Sequence, residues 1–329
     1  MSINSNCQRI LGGVSPPCDP HRKERLNLDN YIAVLIPSYN RPEWLEITLP
    51  SWLKAKYVSK IFVLAQASSR DILEKYERVF KKYGESGKIA YKLVLKKLGS
   101  VKARNVLLDI AMQYDCKYVV MADDDYLLPD ENSLVLMAMN LESDEKVGAV
   151  GGKVIAKRRR IDPDFFLHTP TNLADPLSRL TGYVFIDVKH GPRYSEFLPP
   201  FFMLKREIID KGIRYDKLLE APTGFREESD FQLQIKHLGF KLLFNPRVYV
   251  IHLPAEEGGN RPRMSMKERM YWKARNHAIF VFKWNKSILK RIWYLVISTL
   301  MLLLYRPHHI LWIFKGLKDG IHSSIRYRL

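Results

Sequence analysis

Cysteine is scarce in this sequence: three in 329 residues, and Cys7, Cys18 and Cys116 share no metal-ligand spacing. A disulfide-stapled fold and a zinc-finger reading are thereby excluded, and a reducing compartment is expected. The first thirty or so residues hold no apolar h-region, so no signal peptide is expected there, and the catalytic part should face the cytoplasm. Neither a P-loop nor a GxGxxG element occurs, which leaves kinase and dehydrogenase readings unsupported. No apolar run reaches the ~20 residues a membrane-spanning helix needs. The nearest approach, "IWYLVISTLMLLLY", has 14 residues and ends at Arg306, Pro307, His308 and His309.

Acidic residues are also few, 35 against 53 Lys and Arg, and the net charge of +18 calls for an anionic partner. The imbalance is local. From Gly258 to Leu329 there are fifteen Lys and Arg against Glu268 and Asp319 alone, so thirteen of the eighteen excess charges sit in the last stretch. What the chain does have is apolar content, 47% hydrophobic with 12% aromatic, enough for one large globular domain and an appendage. We divide it into a polar N-terminal arm (1–29), a catalytic domain (30–255) and a basic, aromatic helical C-terminal region (256–329).

Between Tyr31 and Ala156 short apolar runs alternate with longer amphipathic stretches, the pattern of an α/β sheet that is mostly parallel and doubly wound. The strands expected are "YIAVLIP", "KIFVLAQ", "IAYKLVLKK", "KYVVMA" and "VGAVGGKVIA". Helices are expected from Asp71 to about Tyr83, closed by Gly84, over "VKARNVLLDIAMQY" and over "SLVLMAMNL". After Arg160 the periodicity fades into a long irregular segment to Pro200, read as an acceptor-binding excursion. A helix from Asp230 to Leu238, closed by Gly239, and a pair of strands from Phe240 to His252 interrupted at "NPR" follow.

In open α/β sheets ligands bind beyond the carboxyl ends of the strands. Three of those ends are polar here: "PSYNRP", "AQASS" and "DDD". Asp123, Asp124 and Asp125 repel one another unless something cationic joins them. Hard divalent cations such as Mg²⁺ and Mn²⁺ choose carboxylate oxygens together with substrate phosphates. A D-x-D spacing on an extended turn lets the outer carboxylates point the same way. A solvated acidic turn into "LLPDEN" is the alternative. His252, at the end of "VYVIH", is either a third metal ligand or a satisfied strand-end histidine.

Glu227, Glu228 and Asp230 open the expected helix of "FREESDFQLQIKHLG". They either favour the helix dipole as first-turn residues or supply a general base whose neighbours crowd it. Lys102, Arg104 and Asn105 in "SVKARN" stand at another helix start, suited to a diphosphate or simply solvated.

The stretches "IPSYNRPEWLEITLPSW", "GSVKARNVLLDIA", "VVMADDDYLLP" and "FREESDFQLQIKHLGFKLLFNPRVYVIH" resemble, in order and approximate spacing, the family 2 glycosyltransferases, which have the GT-A (nucleotide-diphospho-sugar transferase) fold. The resemblance covers about Tyr31 to His252. It implies a nucleotide-sugar donor, Mn²⁺ or Mg²⁺ on the D-x-D element, and inversion at the anomeric carbon. Asp123 and Asp125 match the outer positions of that element, with Asp124 between them among the donor contacts. Pro37, Ser38, Tyr39, Asn40 and Arg41 match the nucleoside loop, and Arg104 and Asn105 the segment near the donor. The family's acidic dipeptide is most often Glu-Asp with the second member as base, so Glu228 takes that place, between Glu227 and Asp230. In "VLAQAS" the family commonly has an aspartate that pairs with uracil; Gln66 and Ser68 would have to read the base instead. Lys102 or Arg104 would help a metal at Asp123 and Asp125 offset the charge growing on the leaving diphosphate.

The resulting expectation is a metal-dependent inverting transferase that moves a sugar, from a UDP-sugar, to a hydroxyl of a glycolipid, lipid-linked oligosaccharide or surface polysaccharide. A polyprenyl- or dolichyl-phosphate sugar synthase is the near alternative. The tail carries Trp272, Trp284, Trp293 and Trp312 among Lys and Arg. It reads as a monotopic helix or re-entrant hairpin in an anionic leaflet, or as a helical appendage packed on the catalytic domain. A nucleic-acid-binding protein is the reading from a different class, but acidic clusters repel nucleic acid and none is expected as a partner.

Overall fold

The computed structural model describes residues 31–156, 168–169, 173–222, 224–253, 259 and 264–326. The arm expected over 1–29 and much of the irregular segment, 157–167 and 170–172, lie outside the described residues. The chain runs β1 (Ile32–Tyr39), α1 (Pro42–Lys54), β2 (Val58–Gln66), α2 (Arg70–Tyr83), β3 (Ile89–Val94), α3 (Ser100–Met112), β4 (Tyr118–Met121), β5 (Tyr126–Leu127), α4 (Ser133–Ser143) and β6 (Val147–Ala156). Then come β7 (His168–Thr169), α5 (Ala174–Thr181), β8 (Ile186–Asp187), β9 (Arg193–Ser195), β10 (Phe202–Lys205), α6 (Arg206–Asp210), α7 (Glu227–His237) and β11 (Lys241–His252). Three helices close the chain: α8 (Met266–Trp284), α9 (Ile288–Tyr305) and α10 (Ile310–Arg326).

Strand alternation builds a three-layer sandwich. Ile32, Val34 and Ile36 of β1 join Leu45, Leu49 and Trp52 of α1 and Tyr76, Val79 and Phe80 of α2 on one face. Ala33 and Leu35 join Val101, Leu107 and Leu108 of α3 and Phe231 and Ile235 of α7 on the other. Each fully buried Leu or Ile contributes about 1.5–3 kcal/mol relative to exposure, so a one-residue slip of β1 is strongly disfavoured. The sheet order is β3-β2-β1-β4-β10-β6-β11-β5, with β9 on β11. β3, β2, β1 and β4 are parallel, as are β6 and β11, while β10 runs antiparallel between β4 and β6.

Some boundaries differ from the sequence reading. The third strand stops at Val94. α2 continues into a 3₁₀ turn, so Gly87 with φ +64, rather than Gly84, makes the left-handed exit. The strands around "NPR" are one strand, β11, whose register against β6 shifts between Phe244 and Tyr249. α7 begins at Glu227 instead of Asp230. At the C-terminus, Ser265 and Glu268 form a capping box on α8. α10 lies against α8 so closely that a Cβ on Gly316 or Gly320 would collide with the carbonyls of Tyr271 and Arg275.

Candidate active site

The register of the parallel strands brings the expected polar ends together: Tyr39 pairs with Gln66, and Leu35 with Met121 two residues before Asp123. From there the chain turns. Tyr126 donates its amide to the Asp123 carbonyl (3.2 Å), so Asp123–Tyr126 is a turn, and the outer aspartates have different partners, Arg104 for Asp123 and Arg41 with His252 for Asp125. Three side chains of α1, one helical face, hold that turn. Thr48 Oγ1 donates to the Asp124 carbonyl (2.9 Å), Trp52 Nε1 to the Tyr126 carbonyl (3.0 Å), and Ser51 Oγ accepts from the Leu128 amide (3.1 Å).

The three aspartates have three different settings. Asp124 is turned inward, where Ser38 Oγ donates to it (2.6 Å) and Arg41 Nη1 reaches it (3.2 Å). The relay continues outward through Tyr76, whose hydroxyl lies 2.6 Å from Ser38 Oγ and accepts from the Arg41 amide (2.9 Å). Burial and the neighbouring Asp125 push the Asp124 carboxyl upward, and burial followed by Asp124 does the same to the Tyr76 hydroxyl. Asp124 and Ser38 therefore shape the turn from within and present no surface to a donor.

Asp125 Oδ2 receives Arg41 Nη1 (2.8 Å) and lies 3.3 Å from His252 Nε2. The pairing of β5 with β11, Tyr126 opposite His252, sets this approach. The Leu253 amide adds a bond to the Asp125 carbonyl (2.9 Å). Asp125 Oδ1 is buried with no hydrogen-bond partner among the described residues. A carboxylate with an unmatched buried oxygen next to an imidazole is a donor set that suits a hard divalent cation whose remaining positions go to phosphate and water. Among the described residues no group of three His, Cys, Asp or Glu side chains is placed to hold a metal ion by itself.

Asp123 belongs to a second group. Arg104, buried in the first turns of α3, donates Nη2 to Asp123 Oδ1 (3.0 Å) and Nη1 to Glu228 Oε1 (2.8 Å), with Glu227 Oε1 at 3.7 Å. Burial alone would weaken the Arg104 charge, but Glu228, Asp123 and Glu227 hold the guanidinium firmly protonated. The like-charge crowding expected of "REESD" is thus relieved by a cation 124 residues away from Glu228. The side chains of Asp123 and Glu228 keep 30% and 24% exposure, whereas Glu227 is sealed.

Several expected contacts are used elsewhere. Gln66 is fully buried, its Oε1 accepting from Leu98 N (2.7 Å) and its Nε2 directed at the Ser38 carbonyl, so it is not available to read a base. Asn40 and Ser68 bond each other. Asn105 is matched on both sides by the backbone of Tyr215 (2.9 Å each). Asp230 is fully buried and accepts from Lys283 Nζ (2.9 Å), Gln234 Nε2 (2.9 Å) and Trp284 Nε1 (2.8 Å), a carboxylate held by three donors and closed to an acceptor. Lys102 is exposed, and the helix start it shares is filled: Glu220 accepts from the amides of Ser100, Val101 and Lys102 (3.0, 3.0 and 3.3 Å). That N-terminus holds the protein's own carboxylate where a diphosphate was expected. Pro37 lies within β1, while Tyr39 carries Lys97 5.2 Å over its ring.

Thr48, Trp52, Tyr76 and Glu220 escaped sequence reasoning. The first two share the i, i+4 face of "ITLPSW", a signal that was present; nothing local marks Tyr76 or Glu220.

Comparison with known proteins gives one family over most of the chain: residues 29–273 match the family described as glycosyltransferase like family 2. No curated protein matches significantly. Among solved structures, the mannosyltransferase PcManGT from Pyrobaculum calidifontis, in complex with GDP-Man and Mn²⁺, is similar with a TM-score of 0.55 at 16% identity, covering 90% of this chain and 76% of its own. S. aureus TarS 1–349 in complex with UDP-GlcNAc gives 0.53 at 13%, covering 91% of each. GalNAc-T7 with UDP, GalNAc and Mn²⁺ gives 0.53 at 15%, covering 89% and 57%. Likeness at such identities speaks for the fold, and the family match speaks for the chemistry: this chain belongs to glycosyltransferase family 2 and is a glycosyltransferase of the GT-A fold.

Proposed function

We propose that the protein transfers a sugar, with inversion, from a nucleotide-diphosphate donor, UDP-linked, to a hydroxyl of a lipid-linked acceptor at an anionic membrane surface. The observation that carries this is the buried Arg104 guanidinium joining Asp123 of the donor turn to Glu228 of α7. A partly exposed carboxylate beside the acidic turn supports Glu228 as the base on the acceptor side. Glu228 takes the proton from the acceptor hydroxyl as its oxygen attacks the anomeric carbon, and the bond to the diphosphate breaks with its electron pair going to the phosphate oxygen. Arg104 keeps Glu228 aimed and adds positive charge on the leaving-group side. Asp125 and His252 would hold Mn²⁺ or Mg²⁺, with Asp123 adjoining, and the cation would offset diphosphate charge as a Lewis acid. Three solved neighbours carry GDP-Man, UDP-GlcNAc or UDP with GalNAc, two of them with Mn²⁺, which supports this class of donor and cofactor.

The membrane part of the proposal rests on α9 and α10. α9 is one helix long and apolar enough to cross a bilayer, and little of it is covered by protein. Leu289, Ile292, Val296, Leu300 and Leu304 form an exposed stripe at helical spacing, continued by Leu311 and Phe314 of α10; Leu289, Leu304 and Leu311 are 76, 84 and 80% exposed. Lys286, Lys290, Arg291, Arg306, Lys315 and Lys318 flank it. α9 and α10 both pack on α8, and α9 also on α5, so the pair would lie flat with its exposed apolar stripe in the leaflet and its cations at headgroup level on the cytoplasmic side.

Thermal shift against UDP-, GDP- and dTDP-sugars, with and without Mn²⁺, tests the donor half. A UDP-sugar with Mn²⁺ should raise the melting temperature most. Absence of stabilisation by any nucleotide-sugar would end the proposal.

A further inference from the structure

The family match stops at residue 273, part-way along α8. The loop that delivers the acidic pair is nevertheless held by residues beyond that point. Asn276, fully buried, donates Nδ2 to the carbonyls of Leu219 (2.8 Å) and Phe225 (3.0 Å), drawing together the two sides of the segment that enters α7. Two helical turns along, Lys283 donates to Asp216 (2.6 Å) and Asp230 (2.9 Å), and Trp284 Nε1 to Asp230 (2.8 Å). His277 Nδ1 accepts from Arg226 Nε (3.2 Å), and the Arg226 guanidinium sits over Tyr183, Phe225 and Phe280 at 4.3, 4.5 and 5.6 Å.

Arg226 immediately precedes Glu227 and has φ +76, a left-handed conformation that a non-glycine residue adopts only when its surroundings impose it. On its other side the same segment is fastened to α3 by Glu220 at the helix start and by Asn105 on Tyr215. Residues 215–222 and 224–226 therefore bridge the helix that carries Arg104 and α8, touching α3 at Tyr215 and Glu220 and α8 at Asp216, Leu219, Phe225 and Arg226. If the bridge moves, Glu228 leaves Arg104.

We propose that Asn276, Lys283 and Trp284 are positioning residues of the transferase site, so that the site is incomplete without the C-terminal half of α8. This rests on the function proposed above only for the name of the reaction; the bridge itself is a matter of geometry. The test uses the full chain with Asn276→Ala and Trp284→Phe, the latter keeping the ring and removing one donor. Hydrogen exchange of the amides in 217–228 should accelerate, while those of β1 and β4 stay as in wild type. Hydrolysis of the nucleotide-sugar found by the stabilisation panel should fall by about tenfold or more, with donor affinity by calorimetry within about twofold, the signature of lost alignment rather than lost binding. Exchange and turnover like wild type in both variants would overturn the inference, as would a uniform rise in exchange across the sheet. If Asn276→Ala does not fold, Trp284→Phe decides alone. A wild-type chain that binds no nucleotide-sugar defeats the functional proposal instead, and the exchange result still stands or falls separately.

Discussion

Glu228 and Asp123 are the two carboxylates that Arg104 keeps apart yet aligned, and single substitutions there should separate chemistry from binding. Glu228→Gln is expected to lower turnover by about a hundredfold or more with donor affinity retained, since a neutral amide cannot take the acceptor proton. Near-normal turnover would point to an acceptor that is already an oxyanion, such as a polyprenyl phosphate. Asp125→Ala combined with His252→Ala should abolish the Mn²⁺ dependence of UDP binding in calorimetry, leaving residual metal-free affinity. Cys116 offers an independent check on burial: its thiol is enclosed and pushed up to about 11 by burial. At pH 8 its thiolate is rare, so peptide mapping should find it alkylated slowly in the native protein and readily in urea. Arg104, Glu228 and His252 stood out in the sequence, and the structure brings Arg104 to Glu228 and His252 to Asp125. Gln66, Asn105 and Asp230 misled because their partners are backbone groups or side chains elsewhere in the chain, Trp284 being 54 positions from Asp230.

Among the elements, α3 and α8 do the most to fix the site. Glu220 caps α3 from another segment, and Glu220→Ala should cost about 1 kcal/mol, the usual worth of a lost cap, as a lower midpoint in urea. The α8–α10 contact is tighter still. Gly316→Val forces a side chain into the Tyr271 carbonyl and should destabilise by about 1–3 kcal/mol, read by thermal denaturation. Short continuous apolar runs made β1, β2 and β4 readable, because strands covered by helices on both faces carry apolar side chains on both. The β5–β11 pairing was not readable: β5 is two residues long, too short for any pattern, and its register follows from the Asp123–Tyr126 turn.

For the molecule as a whole, the exposed stripe of α9 and α10 predicts selective membrane binding. The chain should sediment with anionic vesicles and much less with zwitterionic ones, and salt should weaken the preference by screening. Leu304→Glu with Leu311→Glu should abolish sedimentation without lowering the melting temperature, because neither side chain is buried in the fold. Retained binding in that variant would show that another surface docks.

Local chemistry sufficed for the α/β class, the family resemblance and the carboxyl-end location of the acidic turn, because apolar period and turn residues depend on near neighbours. Tertiary structure alone decided which carboxylates meet at Arg104, that Glu220 fills the α3 start, and that α8 holds the segment entering α7. Those outcomes turn mostly on polar groups that meet across more than fifty residues of chain, and only packing brings such groups within hydrogen-bond reach.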